Sequence, residues 1–583
     1  MNQLAILWRH IGNRRKMQLL GVFLLTLAAA ISEMATISAV VPFLTVISSP
    51  ETLFEVEFTR RILMAFNIDA VDELTYLATI FFIISAICAG VTRYALMWSQ
   101  TVVSYAIGSD IAAEMYRRTL YQSYEVHLSR NSSEVLAAIN IKVKDVVNQI
   151  IGPCITLTSS SILLLLLSGL LFLINPNVAA ITFFVFGMVY VVIARSVKKS
   201  LVRHGKIMSS MQSKVVKNIQ EGLNGIRDVL LTGAQNLYIE SFRMSDVARR
   251  DATAKIIVIS QAPRFVIESG GMVFIALIAY FLIEVRSETT TVLPLLGALA
   301  LGAQRMLPLL QQAYWSYSQI HGGGSSLRDV IELLDQPTIE KDESTSVEMT
   351  FGRTIEFSNI AFSYAGNSTE VLKSINLCIA KGNCIGVIGS TGSGKSTLID
   401  ILMGLIKPSS GALLVDDDEV TEEKLVAWQK KIAHVPQSIY LADTTIRQNI
   451  AFGIPPDDID FENVMAAAKL AHIDDVITAL ENGYETRVGE RGIRLSGGQL
   501  QRIGIARALY RNAEVLVLDE ATSALDQKTE KHIMDCISKL PSSLTVIMIA
   551  HRITSLINCD LIIKLENGKI SAAGSYSDIL DKP

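Results

Sequence analysis

Several function classes are excluded by what this 583-residue chain has little of. Its six cysteines (Cys88, Cys154, Cys378, Cys384, Cys536, Cys559) are scattered and form no CxxC pair. Neither a disulfide framework nor a zinc site is indicated, and reduced, mostly buried thiols are expected. Charge is also scarce: 19% of residues are charged and the net charge is -4, too small to argue for a nucleic-acid partner. No cleavable leader is legible. The basic stretch "WRHIGNRRK" precedes an apolar run from Met17 to about Ile47, longer than a signal-peptide core and without a small-residue cleavage site after it. That run reads as a retained helix.

What the chain has in abundance is apolar residues, 50% of the total, with a mean hydropathy of +0.38. The long apolar runs stop near residue 320, and the remainder has the composition of a soluble α/β domain. Two units are expected, a membrane domain over 1–335 and a soluble domain over 336–583, joined by the hydrophilic "DQPTIEKDESTSVEMTFGR". Six segments are long enough to span a bilayer, near 17–47, 74–106, 146–174, 177–196, 260–284 and 290–318. Arg9, Arg14, Arg15 and Lys16 precede the first, and a basic cluster from Arg195 to Lys217 follows the fourth. The positive-inside rule therefore places both termini in the cytoplasm. After the first span, Phe54, Phe58, Ile62 and Phe66 recur every four residues among charges, which predicts an amphipathic helix. Two long cytoplasmic connections contain "YEVHLSRNSSEVL" and "EGLNGIRDVLLTGAQ", which suit docking elements for the soluble half.

The sixth span, "LLGALALGAQRMLPLL", raises the question of cargo, because Arg305 stands near its middle. An arginine there costs roughly 2.5–3.5 kcal/mol even on translocon-insertion scales. The ionisable residues within the spans are Glu33, Arg93, Arg264, Glu268 and Arg305. Arg264 and Glu268 are four apart and can pair on one helix face. Glu33 can neutralise Arg93 or Arg305 across helices. Arginines still outnumber acids, and an arginine facing a wet cavity suits a phosphate or carboxylate cargo, since its planar fork binds such groups bidentately. Arg93, Arg264 and Arg305 are the candidate substrate residues.

In the soluble half a strand-like "NCIGVIGS" runs into "GSTGSGKST" and then a helical "LIDILMGLI". This is a phosphate-binding loop in its required strand–loop–helix setting. Backbone N–H groups of Gly389, Ser390, Thr391, Gly392, Ser393 and Gly394 would close on phosphate, helped by the helix N-terminus. Lys395 would reach the β- and γ-phosphates, with Ser396 on Mg²⁺ and Thr397 next to it. Further on, "VLVLDEATSALD" reads as a buried strand ending in Asp519, a metal-holding carboxylate, and Glu520, which would polarise the attacking water.

These motifs, with "AHVPQ", "LSGGQLQR", "SALD" and "IAHR", strongly resemble ATP-binding cassette transporters over essentially the whole chain. The resemblance implies an α-helical membrane domain of exporter type followed by an α/β P-loop ATPase. It also implies that Tyr364 stacks on adenine and that Gln437 contacts Mg²⁺. Ser496, Gly497, Gly498 and Gln499 would grip a nucleotide bound to the opposite subunit. Asp526 would line a dimer interface, and His551 would contact the γ-phosphate as a catalytic partner of Glu520 and Lys395. "GERG" at 489–492 matches a segment that touches intracellular loops in exporters. Two departures occur: Leu500 replaces the usual basic residue after LSGGQ, and Asp417–Asp418 replace a common Asp-Gly turn.

Six spans ahead of one cassette make half an exporter, so a homodimer in the inner (cytoplasmic) membrane is expected, using ATP and Mg²⁺. The segments "APRFVIESGG", "GAQRMLP" and "GIRDVLLTG" look like bacterial flippases of lipid-linked oligosaccharides, of the protein-glycosylation and O-antigen type. That resemblance implies a polyprenyl-pyrophosphate glycan as cargo. The alternative is a general lipid or multidrug exporter of the same architecture. An ATP-gated channel or regulator is a further alternative, which vectorial cargo movement in vesicles separates from a pump, whereas a soluble ATPase of DNA repair or translation is excluded by the spans.

Overall fold

In a bilayer no water satisfies backbone N–H and C=O groups, so apolar spans must fold as helices. A computed structural model of the chain describes residues 2–48, 71–174, 176–285, 289–338, 348–364, 369–489, 492–493, 495–521, 530–532, 534–535, 543–550 and 553–580. The chain divides into two compact units, Met1–Gln122 with Ser129–Thr338, and Ser123–Leu128 with Ile339–Pro583. Residues Ser123–Leu128, in the connection that follows the second apolar helix, thus belong to the second unit.

The first unit is helical. Its long helices among the described residues are α1 (Asn13–Ser48), α2 (Val71–Leu120), α3 (Gly152–Ile174), α4 (Pro176–Asn224), α5 (Gln235–Val285) and α6 (Thr289–Gly322). Each expected apolar segment overlaps one of them, with 146–151 of the third lying on short helical turns before α3. Among the described residues four stretches, Asn13–Val40, Thr75–Leu120, Ser132–Leu170 and Gln235–Val273, are long and apolar enough to cross a membrane. In α4 and α6 many side chains of the apolar part lie outside the described residues. At 1.5 Å per residue the 50 residues of α2 run about 75 Å, well beyond the ~30 Å hydrocarbon core, so its end continues into water. The amphipathic segment expected at Phe54–Phe66 lies outside the described residues.

Where the helices leave the apolar layer, charge ties them together. Arg15 on α1 donates to Asp110 on α2 through both Nε (2.7 Å) and Nη2 (3.1 Å). Buried Lys142 bonds Asp329 of α7 (Gly324–Leu334) at 2.7 Å, and the Ser209 hydroxyl of α4 joins the same carboxylate at 2.6 Å. A buried cation is tolerated here because it is paired and hydrogen-bonded. Leu96, Ile107, Met115, Val146, Ile150 and Val330 pack the core beneath these bonds.

The second unit is α/β. A four-stranded sheet has the order β2-β1-β4-β5, from β1 (Thr354–Phe362), β2 (Leu372–Ala380), β4 (Ser410–Val415) and β5 (Asp418–Glu419). A six-stranded sheet has the order β10-β9-β3-β8-β7-β6. Its strands are β3 (Cys384–Gly389), β6 (Ile432–Val435), β7 (Val515–Asp519), β8 (Thr545–Ile549), β9 (Leu561–Glu566) and β10 (Lys569–Gly574). All but β10 run parallel, so β3, β6 and β7 end on one edge of the sheet. That edge is where ligands sit in such sheets. Both faces of the central strands are covered, and β7 and β8 accordingly read as unbroken apolar runs. Trp428 is fully buried between the sheets, donating Nε1–H to the Leu402 carbonyl at 2.7 Å.

Two expectations change. The thiols are not mostly buried: Cys88 and Cys378 are exposed and, among the described cysteines, only Cys559 is buried. Spacing along the sequence also hid a neighbour pair, since β3 and β9 lie side by side and bring Cys384 Sγ to 3.2 Å from Cys559 Sγ. The turn lacking Asp-Gly is built from Asp416 and Asp417 in the left-handed region, at φ 53° and 71°. Asp tolerates that region better than most residues, and here the Asp416 carboxylate accepts backbone N–H bonds from Gly352 (2.5 Å), Arg353 (2.6 Å) and Thr354 (2.8 Å).

One crossing in the helical unit depends on the absence of a side chain. A Cβ on Gly205 of α4 would run into the carbonyl of Gly322 at the end of α6. Gly205→Ala is therefore expected to separate two backbones and destabilise by about 1–3 kcal/mol, as overpacking does. The fall should appear in the thermal unfolding midpoint of the purified protein, whereas Gly187→Ala, with open space around it, should leave the midpoint unchanged.

Candidate functional site

β3 ends at Gly389, and the chain turns through 390–394 into α8 (Lys395–Leu402). The turn is tight. A Cβ at Gly389 would collide with the Leu565 carbonyl, and Gly394 holds φ 105° with Leu372 Cδ2 2.7 Å from where a Cβ would stand. Lys395 is folded back into its own loop, donating from Nζ to the carbonyls of Gly389 (2.8 Å) and Ser390 (3.0 Å). It is only 9% exposed, which fixes its charge under the loop. Ser396 is exposed at the helix start. Tyr364 packs edge-on to Phe362, with ring centroids 4.9 Å apart, and its hydroxyl lies 3.2 Å from Thr397 Oγ1.

At the same edge β7 delivers Asp519, followed by Glu520 in the left-handed region at φ 50°. Such a conformation in a non-glycine residue is strained and needs its surroundings to hold it. Here the Glu520 N–H bonds Ile549 O at 3.1 Å, and Gln437 Nε2 donates to Glu520 Oε2 at 2.6 Å. Burial raises the Asp519 carboxyl above the usual carboxylate range, neighbouring Glu520 raises it further, and Lys395 opposes both. The structure thus gathers Tyr364, Lys395, Thr397, Gln437, Asp519 and Glu520 at the ends of β3 and β7. Two adjacent carboxylates and an amide beside a lysine-bearing loop fit a nucleotide with a divalent cation.

Ser496 caps α9 (Gly497–Tyr510). Its hydroxyl accepts from Gln499 N (3.3 Å) while the Gln499 side chain accepts from Ser496 N (2.8 Å), a reciprocal capping box. Ser496 and Gly497 are exposed. Among the described residues no hydrogen bond links Ser496, Gly497 or Gly498 to the phosphate loop. Leu500, in place of the usual basic residue, is partly buried in the adjacent core and packs on Gly492. Asp526 and His551 lie outside the described residues, as do Glu490 and Arg491 of the "GERG" segment.

In the helical unit α2, α3 and α6 enclose a cavity of about 530 Å³. Arg93 lines it, and Nη1 of Arg93 lies 3.4 Å from Glu33 on α1. Gln100, Ser159, Ser160, Gln312 and Trp315 also face it. Arg264 does not line this cavity. Its Nε pairs with Glu268 at 2.8 Å, and Gln311 donates to the same carboxylate oxygen at 3.1 Å. The structural pairing weighed from the sequence is therefore the one formed. The side chain of Arg305 lies outside the described residues.

Two family models match, "ABC transporter" over residues 372–523 and "ABC transporter transmembrane region" over 19–288. The chain is an ABC half-transporter. The transporter is 27% identical over 499 residues to the "ATP-dependent lipid A-core flippase" of Burkholderia thailandensis, covering 85% of this chain and 83% of the relative. It is 33% identical over 381 residues to the protein of the same name from Chromohalobacter salexigens, 64% of each chain. A bacterial Atm1-family ABC exporter with ATP bound superposes with a TM-score of 0.79, covering 97% of this chain and 96% of that one at 23% identity. The half-transporter therefore has the exporter fold, a helical membrane domain followed by an ATPase domain, and couples ATP hydrolysis to transport.

Sequence reasoning missed two groups in the transporter. One is the set of uncharged polar residues around the cavity, for which Gln100, Gln312 and the "SSS" of "TLTSSS" inside apolar runs were the available signal. The other is Asp400 on α8, five residues past Lys395. Burial pushes its carboxyl up to about 6, and Asp519 adds to the rise. A carboxyl whose folded value exceeds its ordinary 3.8 binds its proton more tightly folded than unfolded. Asp400 thus costs stability as pH rises from about 4 through 6. Asp400→Asn is expected to raise the melting midpoint at pH 7.5 by about 2–4 °C, with the gain shrinking below pH 6 and gone near pH 4. A gain that stays constant from pH 4 to 7.5 would mean that titration of Asp400 is not its source.

Proposed function

We propose that this half-transporter works as a homodimer in the bacterial inner membrane, with both termini cytoplasmic. Its cargo is a lipid that carries an anionic, saccharide-bearing headgroup, of the polyprenyl-pyrophosphate glycan type. The observation that carries this reading is the intramembrane cavity, where one arginine stands among hydroxyl and amide groups. An apolar drug or plain lipid gains nothing from Arg93, whereas a phosphate offers its guanidinium a charge-assisted partner. The relatives support a lipid cargo, since they bear the name of flippases for lipid A-core.

The geometry of the site supports the ATPase roles of the described residues, and those of His551 and Asp526 rest on their motifs. Lys395 and the loop N–H groups bind the β- and γ-phosphates. Glu520, oriented by Gln437, accepts the proton of the water that attacks the γ-phosphorus while the bond to the ADP oxygen breaks. Ser396, Asp519 and Gln437 would hold Mg²⁺, which when bound neutralises charge on the phosphates. His551 contacts the γ-phosphate, Tyr364 supports adenine, and Asp526 belongs to the subunit interface. The exposed start of α9 supports dimerisation. Ser496, Gly497 and Gly498 offer backbone N–H groups at a helix N-terminus, suited to the γ-phosphate of a nucleotide on the second subunit.

Glu520→Gln should retain ATP binding, seen by a fluorescent nucleotide analogue, but lose about 10²–10⁴-fold in turnover. Lys395→Ala should lose binding itself. Near-normal hydrolysis by Glu520→Gln would sink the assignment.

The cargo is tested in proteoliposomes by the stimulation of ATP hydrolysis with added lipids. A polyprenyl-pyrophosphate saccharide should stimulate, and Arg93→Ala should raise its half-stimulating concentration roughly tenfold or more, the worth of one charged hydrogen bond. Arg93→Lys should fall between. Equal stimulation by an uncharged lipid of the same chain length would favour a general lipid or multidrug exporter instead.

A further inference from the structure

Uncharged polar side chains inside an apolar layer are costly unless their donors and acceptors are used. The cavity among α2, α3 and α6 carries two primary amides, Gln100 and Gln312, each engaged at one end. Gln100 Nε2 donates to Ser159 Oγ at 2.7 Å, and Ser159 is held in turn by Thr26 Oγ1 at 3.1 Å. The Ser160 hydroxyl donates to Gln312 Oε1 at 3.3 Å. A primary amide offers two donors and an acceptor with two lone pairs. The serines therefore fix both amides in orientation and leave hydrogen-bonding capacity at the cavity: the carbonyl of Gln100 and the NH2 group of Gln312.

The spacing is as informative as the bonds. Gln100 stands seven residues after Arg93 on α2, and Gln312 stands seven residues after Arg305 on α6. Seven residues are close to two helical turns, about 10.5 Å along the axis on nearly the same face. Both helices thus repeat one pattern: an arginine position, then a glutamine two turns nearer the cytoplasmic end. An ionised phosphate accepts hydrogen bonds only, so it can use Arg93 but not the Gln100 carbonyl. A hydroxyl or an acetamido group both donates and accepts, and so matches an acceptor and a donor presented together. Trp315, three residues past Gln312, lines the same cavity and offers an aromatic ring for the C–H face of a sugar.

We propose that Gln100 and Gln312 form a subsite for the first sugar of the cargo, separate from the arginine position that meets its phosphates. This rests on the cargo reading above and adds to it that the transporter reads the glycan, not the charge alone. With the termini cytoplasmic, the order is chemically consistent: the phosphate next to the lipid lies deeper, and the sugar lies toward the cytoplasm.

The test compares three lipids in one proteoliposome preparation: a polyprenyl-pyrophosphate monosaccharide, the same polyprenyl pyrophosphate without sugar, and phosphatidylglycerol, which is anionic and hydroxylated but has no ring. The readout is the ratio of half-stimulating concentrations for ATP hydrolysis. Because it is a ratio within each preparation, it does not depend on how much of a variant folds. The wild type is expected to prefer the sugar-bearing lipid roughly tenfold, the worth of one or two neutral hydrogen bonds. Phosphatidylglycerol should not substitute for it. Gln100→Leu with Gln312→Leu should bring the ratio of sugar-bearing to sugar-free lipid to one, while Arg93→Ala should weaken both and keep the ratio. A double variant that retains the wild-type ratio overturns the subsite. So does a wild type stimulated equally by both pyrophosphate lipids, which leaves the anionic-cargo reading standing. A wild type that responds to neither removes the cargo reading, and the subsite with it.

Discussion

Everything in the helical unit is conditioned by one fact: a polar group in an apolar slab has no water to turn to. The backbone answers by closing its own hydrogen bonds in helices of up to 51 residues. Side chains have no such general answer, so each polar residue on those helices must find a partner or face a wet cavity. Arg264 finds Glu268, whose carboxylate also accepts from Gln311. Ser159 finds Gln100 and Thr26. Arg93, though paired with Glu33, is at the surface of the cavity, and its side chain is 41% exposed. Arg264 is also paired and is more exposed, at 59%, so what distinguishes Arg93 is its place on the cavity wall.

In the ATPase unit the corresponding constraint is geometric. The parallel strands deliver Gly389 and Asp519 to one edge, and the chain between β3 and α8 can turn only because Gly389 and Gly394 lack side chains. Strain at Glu520 is held by the Ile549 carbonyl and Gln437. Gln437 follows β6, at the far edge of the sheet from β10. Its contact with Glu520 means that the position of the 437 segment and the orientation of the carboxylate are not independent. A change in one is felt by the other, as coupling between nucleotide state and transport requires.

Much of this was legible in the sequence because the constraint there is local. A phosphate loop needs its glycines and lysine in consecutive positions, so "GSTGSGKST" announces both the strand before it and the helix after it. Apolar runs announced the long helices in the same way. Whatever depends on distant parts of the chain was not legible. The contact of Cys384 with Cys559 follows from strand order, and the three N–H bonds to Asp416 follow from a turn meeting residues 352–354. The burial of Asp400 and the meeting of Gln100 with Gln312 in one cavity are of the same kind. The sequence could pose Arg264 as either a cargo ligand or an ion pair, and the bond that Gln311 adds to its partner Glu268 appears only once α5 and α6 are packed.

The central claim is that ATP hydrolysis moves a saccharide-bearing anionic lipid from one leaflet to the other. It is tested most directly in inside-out vesicles holding a fluorescent polyprenyl-pyrophosphate saccharide, with a membrane-impermeant reductant bleaching the outer leaflet. Addition of ATP should convert bleachable lipid into protected lipid, and a non-hydrolysable ATP analogue should not. Protection that develops at the same rate without ATP, or not at all while ATP is being hydrolysed, would contradict the account.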